Sequence, residues 1–134
     1  MILIDTTVAV DFLRGEKTTV SRIKLIQADS IGISSVSLFE LLQPLRHRKL
    51  DEQERAVRSF VHQLSFFPLD SQAANESADI MGSLLRIGQP VNALDVLIAG
   101  TALANGAEMI LSNDDDFQKI AQVSDLKVEI VRKQ

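Results

Sequence analysis

Short apolar runs, each followed by a stretch with helical spacing, constrain this chain more than any other feature. Ile2 to Ile4 is continuously apolar, as a strand buried on both faces must be. Ile31 and Ile33 flank Gly32 in a second run. Phe66 and Phe67 make a third, residues 108–111 a fourth, and Val128, Ile130 and Val131 a fifth. Helical patterns with readable ends lie between them. Thr6 or Thr7 can cap a helix over 8–14 closed by Gly15, and a second helix covers 18–28. Ser34 or Ser35 caps a helix to about residue 49, with Leu38, Leu41, Leu42 and Leu45 as its apolar stripe and a kink expected at Pro44. Asp51 opens a helix to about residue 64, and residues 71–87 form one ending at Gly88. Asn92 caps a further helix that Asn105 and Gly106 stop. Strands alternating with helices predict an α/β fold around a mostly parallel sheet. Ligands of such sheets bind beyond the carboxyl ends of the strands, where strand order reverses.

Composition narrows the function. At 134 residues and 46% apolar, the chain can bury one substantial core, and no linker, repeat or low-complexity segment divides it. Residues 1–134 are therefore expected to form one domain. Cysteine is absent, which excludes a disulfide framework and thiolate metal sites and suits a cytoplasmic protein. No apolar run approaches the ~20 residues of a membrane span, and the N-terminus has no signal-peptide pattern. A net charge of −4 argues against a general nucleic-acid-coating surface. It is compatible with a nuclease, because bound divalent cations invert the local field.

Acidic residues recur where the strand-end rule points. Asp5 directly follows the first apolar run, and Asp114 and Asp116 lie just past the fourth. Glu40 falls inside the helix after the second run, among Phe39, Leu41 and Leu42. Asp95 lies in the first turn of a helix apolar on most faces. Singly, each has an ordinary explanation: Asp5 or Asp114 as a helix cap, Asp95 as a charge at the positive end of a helix dipole, Asp115 as a solvated loop charge. Glu40 resists one, because no Lys or Arg stands three or four residues away to pair with it. Carboxylates gathered without cations raise one another's pKa and strain the fold. Mg²⁺ or Mn²⁺ among them reverses the balance, and hard oxygen ligands suit those ions. A site of this kind performs metal-assisted phosphoryl transfer, with metal-lowered water as nucleophile. His47 and His62 fall away from the predicted edge and read as surface residues.

The opening stretch MILIDTTVAVDFLRG, the segment ISSVSLFELL and the run GQPVNALDVLIAGTALANGAEMILSNDDDFQKI resemble, in order and spacing, the acidic motifs of PIN-domain proteins, especially the VapC-type toxins of toxin–antitoxin pairs. The resemblance implies a three-layer α/β/α sandwich with a sheet of four to five strands. It further implies a Mg²⁺- or Mn²⁺-dependent endoribonuclease, usually a homodimer, held inactive by a small antitoxin. Carried over by position, Asp5 and Asp95 would be the principal metal ligands, and Glu40 would act directly or through water. Asp116 is ranked slightly ahead of Asp114 as the necessary last acid, with Asp114 reaching a second ion. Thr6 and Ser112 would supply hydroxyls. Thr7, Gly100 and Asp115 depart from the residues usual at their positions, and none removes an expected acid.

For RNA, the basic run at residues 46–49 and the scattered Arg14, Arg22, Lys24, Arg132 and Lys133 are candidates, with Arg14 or Arg46 expected before the tail. Apolar residues ahead of Leu64 could form a docking groove for a dimer mate or an antitoxin helix. Two other functions fit parts of the pattern: a non-cleaving RNA- or partner-binding domain of the same fold, and a nuclease acting on DNA or in RNA processing. A phosphoacceptor domain fits poorly, since it needs an acidic pair after the first strand and a late Lys.

Overall fold

The computed structural model of the chain describes residues 1–132. The apolar runs become five strands: β1 (Ile2–Ile4), β2 (Ile31–Ser34), β3 (Ser65–Phe67), β4 (Met109–Ser112) and β5 (Val128–Ile130). All pair in parallel, in the order β3-β2-β1-β4-β5. Strand order reverses at β1, which has β2 on one side and β4 on the other. The helices are α1 (Thr6–Leu13), α2 (Lys17–Lys24), α3 (Ser35–His47), α4 (Asp51–His62), α5 (Ser71–Arg86), α6 (Ala93–Ala104) and α7 (Asp116–Gln122).

Pleat alternation divides the apolar residues into two cores. Leu3 and Ile110 point to a face covered by α5, α6 and α7, where Leu84, Ile98 and Phe117 are fully buried. Ile4, Ile33 and Leu111 point the other way, beneath α1 to α4, among Val8, Leu41 and Phe60. The result is the expected α/β/α sandwich, and burial on both faces explains why the central strands β1, β2 and β4 are largely apolar rather than alternating. No helix among the described residues is long and apolar enough to cross a membrane.

Several boundaries differ from the sequence reading, each for a local reason. Asp5, not Thr6 or Thr7, caps α1: its Oδ1 accepts from Val8 N at 2.9 Å. Glu16 caps α2 by accepting from the Thr18 and Thr19 amides, and α2 ends at Lys24, short of the predicted residue 28, with a separate 3-10 turn at Ala28–Ser30. Ser34 is the α3 cap. That helix continues through Pro44 to His47, and the missing proline N–H leaves the Glu40 carbonyl without its i+4 donor. Lys49, at φ 55, turns the chain from α3 into α4. β4 runs from Met109 to Ser112 and β5 stops at Ile130. His47 and His62 are exposed, as expected. Lys133 lies outside the described residues.

Candidate active site

The carboxyl ends of β1 and β4 and the starts of α3 and α6 meet at one edge of the sheet. Asp5 leaves β1 and is 1% exposed. Three donors hold its carboxylate through four contacts: Thr7 Oγ1 at 2.7 and 2.9 Å from its two oxygens, Val8 N at 2.9 Å and Ser112 Oγ at 2.6 Å. Ser112 ends β4, so this last bond ties the two strand ends together. Two further links reinforce it. Asn113 N donates to Thr7 Oγ1 at 2.8 Å, and Asp114 N donates to Ser112 Oγ at 2.9 Å.

Glu40 projects from α3 toward α1, where Thr6 Oγ1 donates to its Oε1 at 2.7 Å and lies 3.0 Å from Ser37 Oγ. A hydroxyl therefore satisfies the carboxylate for which the sequence offered no cation. Asp95 sits in the first turn of α6, directly after the Asn92 cap, whose Oδ1 accepts from Leu94 N at 2.8 Å. Among the described residues no donor contacts the Asp95 carboxylate. Asp114 Oδ1 accepts from Asp116 N, the first amide of α7, at 2.9 Å. Asp116 pairs with Lys119 at 3.2 Å on a half-exposed flank, Asp115 is exposed, and Phe117 is fully buried and anchors the loop.

Glu40, Asp95 and Asp114 line a single open cleft of about 410 Å³, together with Thr6, Thr7, Asp11, Asn92, Asn113 and Arg132. Asp5 forms the buried base beside it. Asp116 is not part of the lining. Asp11, Asn113 and Arg132 are the lining residues that sequence reasoning passed over or ranked low. Nothing in the pattern marked Asp11, which looks like an ordinary exposed helical acid. The order expected for the cations is also reversed. Arg46 pairs with Glu54 at 3.2 Å, Arg14 lines a neighbouring groove, and the tail residue Arg132 reaches the cleft.

The electrostatics are those of an uncompensated acidic site. Burial pushes Asp5 up to about 6, partly offset by its bonds to Ser112, Val8 and Thr7, with the Asp114 charge adding to the rise. Asp95 is pushed up to about 7, first by burial and then by the charges of Asp114, Asp5, Glu40 and Asp116. All these charges therefore act on one spot. The donors are hard oxygens without sulfur or imidazole, a set that suits Mg²⁺ or Mn²⁺. Among the described residues no group of three or more His, Cys, Asp or Glu side chains is arranged to hold a metal ion. Asp5, Glu40 and Asp114 are instead turned to the hydroxyl and amide donors named above.

These shifts have a measurable consequence. A carboxyl whose pKa is higher in the folded than in the unfolded chain stabilises the fold while protonated. That contribution is complete below the unfolded value and is lost as pH rises through the folded one. In EDTA, the melting temperature is expected to fall by about 5 °C between about pH 5.5 and pH 8, after allowing for solvent screening. A thermal unfolding series checks this, and a flat or rising profile would show that the acids do not crowd one another.

The PIN domain family matches residues 2–123. Ribonuclease VapC19 of Mycobacterium tuberculosis is 34% identical over 123 residues, covering 87% of this chain and 92% of that protein. The tRNA(fMet)-specific endonuclease VapC of Shigella flexneri is 27% identical over 119 residues, covering 88% and 90%. Among solved structures, VapBC-1 from nontypeable Haemophilus influenzae superposes with a TM-score of 0.83 over 99% of this chain and 100% of that one, at 21% identity.

Proposed function

Because the chain belongs to the PIN domain family, among its VapC-type toxin nucleases, we propose that it is a single-domain, Mg²⁺- or Mn²⁺-dependent endoribonuclease whose activity a cognate antitoxin restrains. The observation that carries the reading is the convergence of Asp5, Glu40, Asp95 and Asp114, from four separated segments, at the edge where strand order reverses. Asp5, Asp95 and Asp114 would hold the metal, with Glu40 acting directly or through water. Such an ion supplies an activated water nucleophile and neutralises charge on the phosphodiester.

The chain's own residues set up that chemistry. Thr7 and Ser112 fix the orientation of Asp5. Thr6 aims Glu40 into the cleft, where its carboxylate can accept a proton from a water. Asp95, free of donors among the described residues, keeps its oxygens for a ligand from outside. The geometry favours Asp114 over Asp116 as the indispensable last acid, because Asp114 lines the cleft and Asp116 pairs with Lys119.

A groove of about 380 Å³ runs between α1, α3 and α4, lined by Val10, Leu13, Leu41, Leu45 and Val57 with Arg14 and Arg48 beside them. Glu40 and Val10 line both this groove and the acidic cleft. An antitoxin segment seated there would reach the cleft and could place an Arg or Lys among the carboxylates. A homodimer is the assembly we expect.

The test is cleavage of unfractionated bacterial tRNA, which includes the substrate named for the Shigella relative, with Mn²⁺, with Mg²⁺ and with EDTA. Cleavage with either ion that EDTA abolishes is the expected result. RNA bound but uncut with both ions would favour a non-cleaving binding domain.

A further inference from the structure

We infer that Arg132 is a substrate-positioning residue, seating an RNA phosphate at the rim of the acidic cleft; this rests on the ribonuclease reading above. Among the described residues it is the one Lys or Arg that lines the cleft, facing Asp11, Glu40, Asp95 and Asp114. A polyanion entering a ring of carboxylates meets repulsion at every phosphate that the metal does not touch, and a guanidinium at the rim counters it.

The backbone holds Arg132 at that place. Past the end of β5, Val131 N donates to Ser112 O at 2.9 Å and Arg132 N donates to Asn113 Oδ1 at 2.7 Å. The residue is thereby pinned to the same short loop that presents Asp114. Its guanidinium pairs with Asp11 at 3.3 Å, and Asn113 Nδ2 orients Asp11 by donating to the same oxygen at 2.8 Å. Glu16 also feels the Arg132 charge, which helps hold its carboxyl below the ordinary range after the Thr19 and Thr18 donors. Two acids thus keep the side chain poised at the cleft mouth without burying it, since it remains 48% exposed. The planar five-donor fork has N–H groups beyond those facing Asp11, and it matches phosphate oxygens bidentately.

Among the described residues no other Lys or Arg lines the cleft. Arg22 makes a bidentate pair with Glu129 at 2.7 and 3.1 Å. Arg46 and Arg58 share Glu54, and Lys119 holds Asp116. Arg14 and Arg48 face the neighbouring groove.

The experiment compares Arg132→Gln and Arg132→Lys with Arg55→Gln, an equal charge change on the exposed side of α4. KM and kcat for unfractionated bacterial tRNA are measured with Mn²⁺. Binding of the same tRNA is measured in an Asp95→Asn background from about 50 to 300 mM NaCl. Arg132→Gln is expected to raise KM about tenfold with kcat nearly unchanged, and to flatten the log–log salt slope of binding by about one. Arg132→Lys should recover part of both, whereas a merely structural role would move the melting temperature and leave the slope alone. If Arg132→Gln matches Arg55→Gln in KM and slope while the wild type cleaves, the inference fails alone. A wild type that cuts no RNA with Mn²⁺ removes the ribonuclease reading and this inference together.

Discussion

Asp95→Asn is expected to lower metal-dependent RNA cleavage about a thousandfold, a loss of about 4 kcal/mol in transition-state stabilisation. The same variant should melt higher than the wild type in EDTA at about pH 8, because the fold no longer carries a charge that its surroundings oppose. Both effects follow from one environment. Asp95 is partly buried at the start of α6, no donor among the described residues meets its carboxylate, and four other acids act on it. A residue placed for stability would have been given a donor, as Asp5 was given Thr7 and Ser112. Gains in stability with loss of activity mark a group retained for its ligand. A variant that lost cleavage and stability together would instead make Asp95 a structural dipole charge.

The second large effect is expected far from the cleft. Gly100→Ala should destabilise the protein by about 3 kcal/mol and lower its melting temperature by about 10 °C. At Gly100, α6 lies so close to α5 that an added Cβ would overlap Ser77 Oγ and come within 2.7 Å of the Ala73 carbonyl oxygen and the Ser77 amide nitrogen. Two of those three atoms are backbone, so a side-chain rotation cannot relieve the clash. Ser77 also bridges the helices, donating to Ala73 O at 2.7 Å and lying 3.3 Å from Val96 O. Adding Ser77→Ala should therefore rescue little. Since α6 carries Asp95, any shift of the helix also displaces that acid, and cleavage should drop along with stability. Thermal unfolding of the single and double variants checks this; an unchanged melting temperature in Gly100→Ala would show that the helices can part at no cost.

Residue pattern carried the architecture well where burial dictated it. The central strands β1, β2 and β4, buried on both faces, leave apolar runs that were legible, as were the edge strands β3 and β5 and the caps at Ser34 and Asn92. The failures were of another kind. Asp5 was read as either a helix cap or a site acid, yet it is both the α1 cap and the buried acid beside the cleft. One carboxylate has two oxygens, and a linear pattern cannot divide them between tasks. Gly100 was visible only as an unusual residue, because its reason lies across the helix interface at Ser77. Arg132 ranked behind Arg14 and Arg46 because sequence distance hid the return of β5 alongside β4. Likewise Asp116 was ranked slightly ahead of Asp114, whereas the α7 turn sets Asp114 at the cleft and pairs Asp116 with Lys119.

Manganese offers the most direct test, through its anomalous scattering in crystals of the wild-type protein soaked near neutral pH. One peak bounded by carboxylate oxygens of Asp5, Asp95 and Asp114, absent from Asp95→Asn crystals, is the result expected. A protein that takes up no manganese at this edge, or binds it elsewhere with these side chains still facing Thr7, Ser112 and the α7 amide, would contradict the account.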